Sequence, residues 1–107
     1  MQRLDPEKMS SEKFLANYLR HLRDERRLSP HTLSAYRRDL GAFLDYCRHG
    51  SLELTALDSY AVRQFAAESH RKGLSSRSIA RRLSAVRRFL HYLVLENVLS
   101  SNPGVGV

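Results

Sequence analysis

Apolar residues return every three or four positions in four separate stretches of this chain, and polar residues fill the positions between them. That spacing is the mark of amphipathic helices packed on a common core. In the first stretch Phe14, Leu15, Tyr18, Leu19 and Leu22 share a face, with Ser10 or Ser11 placed to cap it, before the charged run Arg23-Asp-Glu-Arg-Arg27. Ser29-Pro30 opens the second, serine at the N-cap and proline at the first helical position. Leu33, Tyr36, Leu40, Phe43, Leu44 and Cys47 form its stripe, and Gly50 closes it as a C-cap. After a short loop, Asp58 caps a third helix with Val62, Phe65 and Ala66 inward, ended by Lys72-Gly73. Ser75 caps a fourth that runs to about Asn97, with Ile79, Leu83, Val86, Leu90, Leu93 and Val94 on one side.

No segment alternates with period two for long enough to make a strand. The pattern therefore predicts an all-α, compact four-helix bundle. Its expected core is Phe14, Leu19, Leu33, Tyr36, Leu40, Phe43, Val62, Phe65, Ile79, Leu83, Val86, Phe89, Leu90 and Leu93, with Leu83 at the middle of the fourth stripe. Residues 1–10 read as a ragged lead-in, and Ser100 to Val107 as a linker, since its proline and glycines cannot continue a helix.

The polar side of the fourth helix is unusual. Arg77, Arg81, Ser84, Arg88 and His91 fall in a single file, and no acidic residue occurs between Glu68 and Glu96. Most charge runs are solvated faces, but such faces alternate sign to gain i,i+4 pairs, and this one does not. A cationic ridge over an apolar keel suits a helix held by protein while lying on a polyanion. The second helix carries a smaller ridge of His31, Ser34 and Arg38, with Arg37 at the flank. Alone it is equally well read as a capped, solvated helix start. Two such ridges on one bundle reinforce each other, because a pair can grip a duplex groove.

Bulk composition agrees. The chain has 107 residues, enough for one compact domain, and a net charge of +7. Fifteen of its 18 basic residues are arginine, which favours planar, bidentate contacts with phosphate or guanine. The single Cys47 forms no internal disulfide and reads as core packing in a reducing cytosol. No apolar run reaches transmembrane length and the N-terminus is unlike a signal peptide, so the expected location is cytoplasmic, without a membrane partner. The five histidines are scattered, which gives no metal cluster, and there is no glycine-rich phosphate loop, so neither cofactor nor small-molecule substrate is expected. Carboxylates occur mostly singly and beside arginines, as surface ion pairs would, and Tyr18, Tyr36 and Tyr92 lie on or near apolar faces with no base to activate them. The chain itself reads as non-catalytic.

Leu28-Ser-Pro-His-Thr-Leu33 followed by Tyr36-Arg-Arg-Asp-Leu40 resembles the N-terminal domain of the tyrosine recombinase (phage integrase) family. So do Lys72-Gly-Leu-Ser-Ser-Arg-Ser-Ile-Ala-Arg-Arg-Leu-Ser-Ala-Val-Arg-Arg-Phe89 and the exit from Glu96-Asn97 to Asn102-Pro103, and the likeness extends from about Phe14 to Val107. Within the family the wording is nearest the bacterial recombinases that resolve chromosome dimers; phage and integron integrases stay open. The resemblance implies a SAM-like, orthogonal four-helix core-binding domain over residues 1–100 that forms half of a clamp around duplex DNA. Residues 101–107 would then begin the linker to a catalytic domain that this piece lacks.

In the family, helices 2 and 4 address the major groove. The matching positions are His31, Thr32, Ser34 and Arg38, then Arg77, Ser78, Arg81, Ser84 and Arg88, beside Arg37. Family chemistry needs a His-x-x-Arg motif and a late nucleophilic tyrosine; no His-x-x-Arg occurs here, so no tyrosine of this chain is assigned that role. The implied partners are duplex DNA and a second recombinase in a tetrameric synaptic complex. Two other classes compete: a stand-alone basic helical regulator, and a bundle whose arginines meet an acidic protein. Arg3 and Arg20 lie off the ridges and serve as controls.

Overall fold

The computed structural model describes residues 10–107; the lead-in up to residue 9, with Arg3, lies outside them. Four α-helices follow one another: α1 (Ser11–Asp24), α2 (Pro30–His49), α3 (Ser59–Arg71) and α4 (Ser76–Leu95). Among the described residues there is no strand, and no helix is long and apolar enough to cross a membrane. Each helix begins where a short polar side chain satisfies an unpaired amide of the first turn. Ser10 accepts from the Lys13 amide at 3.3 Å and Ser29 from Thr32 at 3.2 Å. Asp58 accepts from Ala61 at 2.9 Å and Ser75 from Ser78 at 3.1 Å.

The helix ends follow the expected logic with one exchange of roles. Gly50 occupies the C-cap of α2, but its φ is −90°, and the left-handed turn falls on Ser51 at φ 55°. Ser51 and Leu52 then donate back to the carbonyls of Arg48 and Cys47. Helix α4 stops two residues short of Asn97, which takes φ 62°; Asn97 and Val98 donate to Val94 and Leu93, and Val98 is buried under the turn.

Helix α4 packs against each of the other three, and α1 also packs against α2. Phe43, Phe89, Leu40, Leu90, Leu93, Val62 and Val86 are the most completely buried apolar side chains of the bundle. The buried face of α4 is Ala85, Val86, Phe89, Leu90 and Leu93. It is rotated toward Ala85 and Phe89 relative to the stripe read from the sequence. Leu83 is only partly buried and packs at the core margin, and Ile79 is half-buried and outside the core cluster. The rotation has a cause in the partners: the Tyr18 ring of α1 meets Phe89 with centroids 5.4 Å apart, drawing that side of α4 inward. Leu33 and Tyr36 likewise pack against the core without being fully enclosed.

Two further segments contribute. A short 3-10 turn (Leu54–Ala56) lies inside the loop before α3 and buries Leu54. Beyond α4 the chain folds back on it. The Asn102 amide donates to the Arg87 carbonyl at 3.0 Å and its oxygen accepts from the Gly104 amide at 2.8 Å. Gly104 is buried there, and a Cβ would come within 2.9 Å of the Arg87 side chain, so the close approach requires glycine.

Burial sets the response to base. It pushes the Cys47 thiol from its ordinary 9.0 up to about 11 and the Tyr18 phenol from 10.0 up to about 12. Across those intervals the unfolded chain releases a proton that the native chain keeps, so stability falls as pH rises. At 1.36 kcal/mol per unit, each group should remove roughly 2–3 kcal/mol between pH 9 and 12. Urea melts over that range should show the decline, and Cys47→Ala should lose its lower-pH part. A flat profile would contradict the burial of both groups.

Candidate nucleic-acid interface

The polar sides of α2 and α4 come together along one groove of about 200 Å³, lined by Thr32, Ala35, Tyr36 and Asp39 from α2 and by Arg81, Ser84, Ala85 and Arg88 from α4. Its floor is built of small side chains at Ala35, Ala85 and Ser84, which let the two helices approach. Arginines stand at its edge. The Arg88 guanidinium donates to the Tyr36 hydroxyl at 2.8 Å, and that bond raises its already high pKa. Arg81 is anchored more firmly: its Nε donates to Asp39 Oδ2 at 2.9 Å and its Nη2 to Oδ1 at 3.0 Å. The hydrogen bonds and charge of that carboxylate raise the Arg81 pKa.

Of the remaining residues matched to the ridge positions, His31, Ser34, Arg37, Arg38 and Arg77 are exposed. Thr32 and Ser78 have partly enclosed side chains that belong to the caps, accepting from the hydroxyls of Ser29 and Ser75 at 3.0 and 3.1 Å. Ser84 accepts from Arg87 at 3.3 Å. Thr32, Arg81, Ser84 and Arg88 thus meet in the groove itself, whereas the other ridge residues lie outside its lining.

The carboxylate at the centre was not anticipated. Asp39 is buried, not one half of a surface ion pair, and besides Arg81 it has Arg82 Nε at 3.7 Å from Oδ1. Its sequence signal was there: Asp39 stands three residues after Tyr36 and four before Phe43, inside the apolar stripe of α2. An acid at such a position needs a cation brought by another element. Here α4 brings two. Arg82 takes a position on the inner side of α4, 19% exposed, with its guanidinium 6.0 Å from the Phe65 ring centroid. Among the described residues no cluster of histidine, cysteine, aspartate or glutamate could hold a metal.

The sequence that builds this site belongs to a recognised class. Residues 15–97 match the model of the phage integrase N-terminal SAM-like domain, and the chain is a member of that family. At the level of particular proteins, it is similar to tyrosine recombinases XerC, among them three from Pseudomonas. The one from Pseudomonas syringae pv. syringae (strain B728a) is 50% identical over 91 residues, covering 84% of this chain and 30% of the relative. Those from Pseudomonas fluorescens and Pseudomonas putida (strain F1) are 47% and 46% identical, over 90% and 87% of this chain and 32% and 31% of theirs. The chain therefore spans about a third of the length of these curated relatives. No solved structure matches it.

Proposed function

We propose that this domain is the DNA-clamping half of a XerC-type tyrosine recombinase and holds duplex recombination sites through α2 and α4. The observation that carries the reading is the groove just described between α2 and α4, floored by small residues and edged by the exposed arginines Arg81 and Arg88 of α4. Guanidinium groups spaced along such an edge suit the phosphates and base edges of a major groove. In this reading residues 1–100 form the core-binding unit, and 101–107 lead toward a catalytic domain. That domain would supply the tyrosine that cleaves and rejoins strands through a phosphotyrosine bond. The parent protein would work in the cytoplasm, resolving chromosome dimers with a second, XerD-like recombinase in a tetrameric complex on DNA.

The division of labour gives a direct test. The 107-residue chain should retain duplex DNA in a mobility-shift assay at low salt, yet form no covalent adduct on nicked suicide duplexes, because it lacks the groups that stabilise a pentacoordinate phosphate. An adduct resistant to denaturant would overturn the assignment. Absence of any binding at low salt would overturn the clamp itself.

A further inference from the structure

We propose that Asp39 is a positioning residue for base recognition, fixing Arg81 so that its free edge reads a guanine in the duplex; this rests on the reading of the α2–α4 face as the DNA interface. The Asp39 side chain is 3% exposed and that of Arg81 49%, so one end of the pair is set in the core and the other reaches solvent. The carboxylate takes the guanidinium side-on, through Nε and Nη2. A guanidinium carries five N–H donors. Two are spent on Asp39, leaving three, and the outer edge formed by Nη1 and Nη2 is free. That edge matches the O6 and N7 acceptors of guanine. A long arginine otherwise loses rotamer freedom on binding, and the carboxylate removes that freedom beforehand. Its orientation is in turn fixed by the fold, since α2 holds Asp39 one turn from fully buried Phe43 and next to fully buried Leu40. Arg82 balances the carboxylate from the inner side, so Arg81 is not required to neutralise it alone.

Selection from a pool of randomised duplexes at low salt, read by sequencing, tests this without specifying a recombination site in advance. The 107-residue chain should enrich a guanine at a defined position. Asp39→Asn should lose about tenfold of the preference there, while its affinity for the unselected pool stays level or rises, because a negative charge has been removed. Arg81→Ala should lose preference at the same position, and adding Asp39→Asn to it should change nothing further. Arg81→Lys keeps a cation beside Asp39 but no fork, and should lose the preference while melting like the parent.

If a folded Asp39→Asn variant loses affinity equally for all sequences, Asp39 is an interhelical clasp and the proposal fails. If Asp39→Asn does not fold, Arg81→Lys decides, and retention of the guanine preference by that variant sinks the proposal. Should Arg77→Ala and Arg88→Ala also leave binding untouched, the failure is that of the DNA interface and not of Asp39 alone.

Discussion

Phe89→Ala should destabilise the domain by about 3–5 kcal/mol, the range for removing a buried aromatic ring. Phe89 is wholly enclosed, and its ring contacts Tyr18 of α1 from the centre of the inner face of α4. Tyr18 in turn stacks near Tyr36 and Tyr92, with centroids 6.3 and 5.0 Å away, so the cavity would open where three helices meet. Aromatic pairs add roughly 0.5–1.5 kcal/mol beyond the area they bury, which places this site high in the range. A domain of this size loses about 4–8 °C of melting temperature per kcal/mol, so the midpoint should drop by tens of degrees. Leu83→Ala is the comparison. Because Leu83 sits at the core margin, its truncation should cost about 1 kcal/mol. Thermal melts followed by circular dichroism separate the two, and equal losses would mean that the inner face of α4 is centred on Leu83 after all.

That contrast marks where the sequence was legible. Helix starts are local events: a serine or aspartate and the amide three residues on settle them, so Ser29, Asp58 and Ser75 could be read directly and the first cap narrowed to Ser10 or Ser11, of which the structure uses Ser10. The rotation of α4 is not local. A stripe of Ile79, Leu83 and Val86 has the right periodicity, but the exact face buried depends on where Tyr18 stands on another helix. The role of Asp39 was hidden for the same reason, since its partner lies 42 residues away. The left-handed turn at Ser51 was masked because glycine stood next to it and any reading by propensity prefers glycine there. The return of Asn102 and Gly104 onto Arg87 is likewise a tertiary event that Pro103 and the neighbouring glycines do not announce. The arginine ridge was legible as a pattern because periodicity alone aligns Arg77, Arg81 and Arg88; the groove that receives two of them needed α2 beside α4.

The second large effect concerns binding. Reversing two exposed ridge charges, Arg77→Glu with Arg88→Glu, should weaken duplex DNA binding by at least about a hundredfold at low salt, since each change both removes a counterion-releasing cation and adds repulsion. Both residues are exposed, and Arg88 gives up one bond to the Tyr36 hydroxyl, so the fold should tolerate the change, which a thermal melt of the variant checks. The control reverses Arg20 and Arg63, exposed residues of α1 and α3 whose side chains, among the described residues, bond within their own helices to Asn17 and Ser59. It changes net charge by the same amount, which isolates position from bulk charge.

The most direct test of a DNA-gripping α2–α4 face is therefore the salt dependence of duplex affinity, measured by fluorescence anisotropy for the parent chain and these two double variants. The slope of log K against log salt falls by about 0.9 for each phosphate that the protein no longer neutralises. Arg77→Glu with Arg88→Glu should flatten the slope by about 1.8, while Arg20→Glu with Arg63→Glu leaves it near that of the parent. An unchanged slope in the ridge variant, or an equal flattening in the control, would contradict the account.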